Sequence, residues 1–387
     1  MSEHLTLAGI EHLVLERHRI AERWRSARWD SLVANGPAWH DRFPTKEFED
    51  TDPDGFPSKD SVTRYFEEFV AERNLPVHCG IEVLSARQYG RGFVVDTSDG
   101  SLRVSNIVAA TGPFQNPAIP PMVPGRDGLR QIHSTSYRNP DALDPGAVLV
   151  VGAGSSGSQI AEELLASGRE VYLSVGPHDR PPRRYRGKDF VWWLGVLGKW
   201  EQKSPPKGAE HVTIAVSGAN GGETVDFRRF AADGMTLLGM TRAYENGVLT
   251  FAPDLATNIS RGDANYLSVL KEADEYVQRE GLDLPTDPTA HDIGPLPRYA
   301  TNPILTLSLA EARISTIIWA TGFKQNFDWL QVDTFDEGGR PLHQGGVSKV
   351  PGVYFLGLPW LSMRGSSFIW GVWVDAKNLT EHIAKTR

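Results

Sequence analysis

The sequence predicts an α/β fold of two interleaved domains, with parallel sheets and a β-meander. Three observations support this prediction. A strand, a glycine-rich turn, a helix and a second strand begin only at Val148, three short strands with glycine turns precede them, and two apolar strands ending in Ala-Thr-Gly flank them. Alternating strands and helices are typical of parallel sheets. A chain of 387 residues is long enough for two hydrophobic cores.

Composition and charge exclude several classes of protein. Hydrophobic residues make up 40% of the chain, as in ordinary globular proteins, and the net charge is -8. Because no basic excess is present to neutralise phosphates, we do not expect nucleic acid as a partner. The single cysteine, Cys79, rules out a disulfide within the chain and a CxxC redox pair.

The sequence shows no secretory leader, no apolar run long enough to span a membrane, and no metal-ligand spacing among its histidines. We therefore expect a cytoplasmic protein without a metal. A homodimer is compatible with the sequence, which does not determine the oligomeric state.

The glycine-rich turn lies in the segment 148–175, "VLVVGAGSSGSQIAEELLASGREVYLSV". Gly152 permits a tight turn, Gly154 lets the backbone approach a pyrophosphate, and Gly157 lets the following helix, expected at 158–166, pack closely on the strand. This is the pattern of a Rossmann-like dinucleotide site, and a purely structural turn is the alternative. The residues expected to contact the nucleotide are Gly152, Gly154, Ser155, Ser156 and Gly157.

The end of the second strand indicates which dinucleotide binds. An NAD site usually has Asp or Glu at the end of this strand to bind the ribose 2′-hydroxyl. Here residues 174–176 are Ser-Val-Gly. A basic segment follows, and its guanidinium groups suit a 2′-phosphate. The sequence therefore favours NADP, with Asp179 as a competing acid and a solvated basic loop as the alternative. The arginines concerned are Arg180, Arg183, Arg184 and Arg186, of which we assign Arg183 and Arg184 to the phosphate.

The start of the chain resembles the second half of another dinucleotide-binding unit. Residues 11–16 read as a strand ending in Glu16, an acid placed to hold a ribose hydroxyl, and Gly9 closes a preceding helix. When the spacing of the later glycine turn is counted back from Glu16, the corresponding turn falls before Met1. We therefore expect the first strand, the turn and most of the helix of this domain to be missing. This chain alone should then bind the dinucleotide of this domain poorly.

The segment between these units predicts a docked helix over 59–75 and then three strands joined at 90–92 and 99–100. The last of the three ends in Ala-Thr-Gly at 110–112, and that ending recurs at 320–322. The sequence therefore predicts one domain formed by residues 1–140 and 314–387, with a second, NADP-binding domain, residues 141–313, inserted into it.

Taken in order, several of these motifs resemble the class B flavin-dependent monooxygenases, which include the flavin-containing and the Baeyer-Villiger monooxygenases. The matching motifs are "VLERHRIAERW", "SLVAN", "FPSKDSV", "ATGPF", "HSTSY", "GAGSSGSQIA", "WATGF" and "GVYFLGL". The chain departs from the family pattern in lacking the FAD glycine turn and in having Ala21-Glu22-Arg23 where paired glycines usually precede the tryptophan. Of the signature FxGxxxHxxxY it keeps only His133 and Tyr137.

The resemblance implies FAD and NADP as cofactors, and an enzyme that uses NADPH to transfer one atom of O2 to nitrogen, sulfur or a ketone of a small substrate. It implies that Asn35 is catalytic, at the position of a family asparagine that hydrogen-bonds near the flavin and the nicotinamide. The alternative is a simple turn residue, since Gly36-Pro37 follow it. Further cofactor contacts implied by the resemblance are Glu16, Arg17, Trp24, Thr111, Gly112, Thr321 and Gly322.

Two other functions stay open at this stage. One is an NADP-binding protein or truncated pseudoenzyme without bound flavin, and the other is a flavoprotein oxidoreductase without oxygen insertion. His133 and Tyr137 are expected to set domain geometry, and a C-terminal helix starting near Ser366 is expected to point at the flavin. The clustered tryptophans read either as core residues or as the walls of an apolar substrate pocket.

Overall fold

The computed structural model describes residues 1–205 and 213–386 and confirms the predicted α/β class. Its α-helices are α1 (Ser2–Leu7), α2 (Glu22–Ser26), α3 (Lys59–Glu72), α4 (Ser155–Ala166), α5 (Phe190–Val196), α6 (Phe227–Ala232), α7 (Leu255–Glu280), α8 (Arg298–Thr301) and α9 (Ile369–Thr386). Short 3-10 helices cover Ser134–Ser136, Pro140–Ala142, Ala219–Gly221, Pro288–His291 and Arg364–Ser367.

The strands fall into several small sheets and one larger parallel sheet. In chain order they are β1 (Val14–Glu16), β2 (Val77–Cys79), β3 (Val83–Tyr89), β4 (Gly92–Thr97), β5 (Gly100–Val104), β6 (Ile107–Ala109), β7 (Asn116–Pro117), β8 (Arg130–His133), β9 (Ala147–Val151), β10 (Val171–Ser174), β11 (Arg184–Tyr185), β12 (Lys188–Asp189), β13 (Thr236–Leu238), β14 (Thr241–Glu245), β15 (Val248–Phe251), β16 (Thr306–Ser308), β17 (Ile314–Trp319), β18 (Phe323–Lys324), β19 (Leu330–Gln331), β20 (His343–Gln344), β21 (Val347–Ser348) and β22 (Val353–Phe355).

The larger sheet has five parallel strands in the order β13-β10-β9-β17-β8. Every residue of β9 is buried, as expected for a central strand covered on both faces. The strand, turn, helix and strand predicted around Gly152 are β9, α4 and β10. The prediction of their order is confirmed.

Two strands of this sheet lie outside the range 141–313 predicted for the inserted domain. β8 precedes that range and β17 follows it, and both pair in parallel within the sheet, β17 lying between β9 and β8. The second Ala-Thr-Gly motif therefore follows a strand of the nucleotide-type sheet. The division into one domain of residues 1–140 and 314–387 and a second domain of residues 141–313 stays a prediction. The five-stranded sheet includes strands from both of these predicted domains.

The predicted meander and two parallel strand pairs lie in smaller sheets. β3, β4 and β5 pair antiparallel, joined by turns at 90–91 and 98–99, which confirms the predicted meander. β6 pairs in parallel with β22, and β1 pairs in parallel with β2, with Glu16 opposite the exposed Cys79. Gly9, at φ +63°, closes α1 as predicted.

The boundaries of four predicted elements need correction. β1 covers only the last three residues of the strand expected at 11–16, and α3 ends at Glu72 rather than near residue 75. α4 begins at Ser155, three residues before the expected start, because Gly154 serves as its N-cap and the last residues of the glycine turn are already helical. The C-terminal helix begins at Ile369, after a separate 3-10 turn, rather than near Ser366. Among the described helices, none is both long and apolar enough to cross a membrane.

The glycine turn is also the point where α4 packs most closely on the sheet. A Cβ atom on Gly157 would lie 1.8 Å from the carbonyl oxygen of Gly152 and 3.1 Å from Cβ of Ala320, the residue after β17. Gly152 has a φ of +103°, and a Cβ there would lie 2.5 Å from the carbonyl oxygen of Ala320. A side chain at either position would therefore push α4, β9 and the end of β17 apart.

We predict that Gly157→Ala destabilises the protein, although Gly→Ala inside a helix usually stabilises by about 0.5–1 kcal/mol. The overpacked contact should lower the free energy of unfolding by about 1–3 kcal/mol, measured by urea denaturation. Gly195→Ala in α5 is the matched control, because its Cβ would lie 3.8 Å from the nearest atom, in Trp200. Equal stability of Gly157→Ala and the wild type would contradict the close packing.

Candidate nucleotide and active site

The N-terminus of α4 is covered by a neighbouring part of the chain. The backbone N–H and the Oγ of Ser155 both donate to the carbonyl oxygen of Ile214, each at 2.9 Å. A Cβ on Gly154 would lie 2.6 Å from Cγ2 of Thr213. N–H groups at a helix N-terminus suit a phosphate, but in this structure Ser155 donates to a carbonyl oxygen and the Thr213 side chain lies against Gly154.

Residues 213–217, which we call the covering segment, are held by four further hydrogen bonds. The N–H of Asp179 donates to the carbonyl of Thr213, and the N–H of Ala215 donates to the carbonyl of Asp179, each at 2.8 Å. Nε2 of Gln159 donates to the carbonyl of Val216 at 3.0 Å, and Arg183 donates to the carbonyl of Ser217 at 3.2 Å. The sequence contains no motif that signals these long-range contacts.

Asn35 lies against the helix that follows the glycine turn. Its Oδ1 accepts a hydrogen bond from Nε2 of Gln159 at 2.8 Å, and its carbonyl oxygen accepts one from Nη1 of Arg183 at 2.6 Å. Asn35 also begins a turn, in which the N–H of Gly36 donates to Asp41 at 3.0 Å. The turn interpretation of Asn35 therefore agrees with its backbone, while its side chain contacts α4. Its catalytic role stays a prediction.

Arg183 is engaged by the protein and does not stand free for a phosphate. It is 1% exposed, and its Nε and Nη2 donate to both carboxylate oxygens of Asp189 at 2.5–3.0 Å. With the bonds to Asn35 and Ser217, its N–H donors are used. Burial lowers the pKa of Arg183, and Asp189 opposes that shift. The assignment of Arg183 to a 2′-phosphate is therefore corrected.

Ion pairs also account for two of the other arginines in this segment. Arg180 pairs with Asp263 at 2.9 Å and Arg186 with Asp274 at 2.6 Å. Arg184 is exposed, and its Nη1 donates to the carbonyl of Gly221 at 2.9 Å. Of the residues assigned to the 2′-phosphate, Arg184 is the one with donors open to solvent.

The predicted FAD contacts near the N-terminus lie at the end of β1 and on α2. Oε1 of Glu16 accepts the N–H of His18 at 2.8 Å, and Arg17 pairs with Glu82 at 3.2 Å, with both of those side chains about half exposed. Trp24 is partly buried, with the guanidinium of Arg28 5.6 Å from its ring centroid. Glu16 occupies the strand end that suits a ribose hydroxyl.

The two Ala-Thr-Gly motifs lie at strand ends and are each tied by hydrogen bonds. Nε2 of Gln115 donates to Oγ1 of Thr111 and to the carbonyl of Gly112, both at 2.9 Å. Thr321 donates to the carbonyl of Ala118, and Gly322 has a φ of +79°. Their cofactor contacts stay predictions.

His133 and Tyr137 join separate parts of the chain. Nδ1 of His133 accepts the N–H of Thr135 at 3.2 Å, so Nε2 carries the hydrogen that is donated to Gly322 at 3.0 Å. The Tyr137 hydroxyl donates to Glu163 on α4 at 2.7 Å, while burial raises the pKa of Tyr137. Both side chains therefore link separate segments of the chain, and their role in domain geometry stays a prediction.

Among the described residues, one group of carboxylates lies close enough together to share a cation: Glu49, Glu68 and Glu72. The ammonium of Lys46 already lies there, 2.6 Å from Glu72 and 3.2 Å from Glu68. The ion pairs with Lys46 account for this cluster without a metal.

Comparison with known proteins gives the class of the chain. Residues 1–191 match the family described as pyridine nucleotide-disulphide oxidoreductase. The flavin-containing monooxygenase from Stenotrophomonas maltophilia superposes with a TM-score of 0.65 at 18% identity, covering 100% of this chain and 94% of that chain. The OTEMO complex with FAD and NADP gives a TM-score of 0.55 at 16% identity, covering 100% and 82%. The resemblance to flavin monooxygenases is confirmed.

Within this class of flavin monooxygenase-like oxidoreductases, several relatives are similar over nearly the whole chain, and one of them shows the family of the chain. It is an uncharacterised CzcO-like oxidoreductase from Geobacillus kaustophilus (strain HTA426), 33% identical over 374 residues, which are 96% of this chain and 90% of the relative. The chain belongs to the family of CzcO-like oxidoreductases.

We predict that Asp189→Asn strongly destabilises the protein, because it leaves the buried guanidinium of Arg183 without its counter-charge. Breaking a buried ion pair typically costs about 3–5 kcal/mol in the free energy of unfolding. Glu275→Gln is the matched control, since its pair with Lys271 is 62% and 77% exposed and should contribute about 1 kcal/mol or less. Urea denaturation compares the two, and similar small losses would show that Asp189 does not balance Arg183.

Proposed function

We propose that this chain is an NADPH-dependent flavin monooxygenase that transfers one oxygen atom of O2 to nitrogen, sulfur or a ketone of a small organic substrate. The hydrogen bond from Gln159 to Asn35 carries this proposal. This bond holds Asn35, the residue assigned to catalysis, against α4, the helix that begins at the glycine turn. The residues of that turn would hold a nicotinamide nucleotide, which would supply the hydride.

The residues present fit an NADP pyrophosphate and the ribose of FAD. Gly152, Gly154 and Gly157 provide the approach to an NADP pyrophosphate, which would replace the Ile214 carbonyl at the N–H of Ser155. Glu16, the last residue of β1, would hold the ribose of FAD. When bound, FAD supplies the redox chemistry, and the protein supplies binding, orientation and exclusion of water. The structurally similar OTEMO carries FAD and NADP in its complex.

Asn35 would act as a hydrogen-bond donor at the reacting centre. Because Gln159 donates to Oδ1, the orientation of the amide is set and the Nδ2 hydrogens are left to donate. A donor fixed in advance stabilises negative charge that develops during the reaction. Its position would be maintained by the bond from Arg183 to the Asn35 carbonyl.

The proposal is tested with the purified chain supplied with FAD, NADPH and air. We expect NADPH oxidation that depends on added FAD, with equal uptake of O2 when an amine, a sulfide or a ketone is oxygenated. NADPH binding without FAD-dependent oxidation would instead indicate an NADP-binding protein. NADPH oxidation with an added electron acceptor but without an oxygenated product would indicate an oxidoreductase without oxygen insertion.

We predict that the wild type binds NADPH more tightly than NADH, and that Arg184→Ala reduces this preference. A hydrogen bond to a charged group contributes about 1.5–3 kcal/mol, so NADPH affinity should fall roughly tenfold or more while NADH affinity stays constant. Titration calorimetry measures both, and Arg103→Ala on the exposed strand β5 is the control. Equal wild-type affinities, or an unselective loss in Arg184→Ala, would contradict a 2′-phosphate contact at this residue.

We predict that Asn35→Ala separates NADPH use from product formation in the FAD-supplied enzyme. Loss of a preorganised donor should slow oxygen transfer on the order of 100-fold, so consumed NADPH appears as hydrogen peroxide while flavin reduction changes little. The yield of peroxide per NADPH is measured with thioanisole as the sulfide. Asn302→Ala, at an exposed asparagine, serves as the control. An unchanged yield would leave Asn35 as a turn residue.

A further inference from the structure

A cavity of about 330 Å³ opens beside the loop that carries Asn35. Three parts of the chain form its walls: the loop after Asn35, helix α5 with the residues that follow it, and the first turn of α9. Ligand sites have volumes from roughly 300 Å³ upward and mainly apolar walls. We call this space the aromatic cavity, and its walls include Trp39, His40, Trp192, Trp200, Glu201 and Trp370.

The rings of the aromatic cavity are arranged around His40. The centroid of its imidazole lies 5.4 Å from Trp39, 5.4 Å from Trp200 and 5.5 Å from Trp370. Trp200 and Trp370 are themselves 5.5 Å apart and edge-to-face. Indole rings in this arrangement offer flat apolar surfaces on which a planar ligand stacks.

The hydrogen-bonding state of His40 follows from its neighbour Asp41. Nδ1 of His40 lies 2.8 Å from Oδ1 of Asp41, whose Oδ2 accepts the N–H of Gly36 at 3.0 Å. An ionised carboxylate only accepts hydrogen bonds, so Nδ1 carries the hydrogen. In the neutral ring Nε2 is then a bare acceptor.

Two polar atoms in these walls are buried without a hydrogen-bond partner among the described residues: Nε2 of His40 and Nε1 of Trp370. The His40 side chain is only 9% exposed. Buried polar groups are nearly always hydrogen-bonded in native proteins, so each exception calls for an explanation. Here an unused acceptor and an unused donor belong to neighbouring rings. A group that both donates and accepts at one atom, such as a hydroxyl or an amino group, satisfies both.

We propose that the aromatic cavity binds a neutral, planar aromatic substrate whose hydroxyl or amino group donates to Nε2 of His40 and accepts from Nε1–H of Trp370. That this ligand is the substrate rests on the proposed monooxygenase function. Both nitrogens are buried, so binding includes a rotamer change of one ring, as is common on ligand binding. Glu201 in the wall disfavours an anionic ligand.

The probe is phenol, compared with anisole, which has the same ring but no hydrogen to donate, and with cyclohexanol, which is not planar. Binding to the full chain is measured by titration calorimetry without NADPH or added FAD. We expect one phenol per chain and an affinity about tenfold or more above that of anisole, since anisole leaves Nε2 of His40 buried and unpaired. Cyclohexanol should bind more weakly than phenol. Absence of phenol binding, or equal affinities for phenol and anisole, would overturn the proposal.

Two variants test the named atoms. His40→Phe removes the acceptor and Trp370→Phe removes the donor, and in each the ratio of phenol to anisole affinity should fall toward one. Continued anisole binding shows that each variant is folded. Trp329→Phe, at a partly buried tryptophan in the core beneath the meander, is the control and should keep the wild-type ratio. A wild-type ratio in His40→Phe would exclude His40 as the acceptor.

The two proposals fail separately in these measurements. Phenol binding without NADPH-dependent O2 uptake would leave the aromatic cavity as a ligand site and remove the monooxygenase function. O2 uptake with any substrate class in a protein that does not bind phenol would leave the function and remove the aromatic cavity as its substrate site.

Discussion

The buried guanidinium of Arg183 is the interaction on which the arrangement of the candidate site depends. It joins the carboxylate of Asp189 to the carbonyl oxygens of Asn35 and Ser217, and its Cζ lies 4.7 Å from the ring centroid of Phe56. A buried charge is tolerated only when it is paired and hydrogen-bonded. The loop of Asn35, the covering segment and the start of α5 must therefore keep these positions together.

The covering segment links the two proposed binding places. The carbonyl oxygen of Ile214 accepts a hydrogen bond from the N–H of Ser155 at the glycine turn. Ile214 and Val216 also pack in the same apolar cluster as Val191 and Trp200. The nucleotide turn and the aromatic cavity thus share one short stretch of backbone. We therefore expect a shift of this backbone at one place to affect the other.

The nucleotide-type unit could be predicted from the sequence because its signals are local. The apolar run of β9, the glycines and the periodicity of α4 stand next to one another, and the turns of the meander are equally short-range. The role of Arg183 could not be predicted, because its position in a basic stretch says nothing about the burial that pairs it with Asp189. The bond between Gln159 and Asn35 joins residues distant in sequence, and no spacing rule connects them. The sequence predicts the start of α4 three residues too late, because a glycine-rich stretch at a helix N-terminus has the composition of a loop.

Cys79 has a practical consequence for the study of this protein. It is the one cysteine of the chain, it is exposed on β2, and it lies opposite Glu16 across the parallel pair. A thiol-reactive fluorophore would therefore attach at one site without any mutation, beside the strand end assigned to a ribose. Such a label would make the wild-type sequence an optical reporter of the surroundings of that strand end.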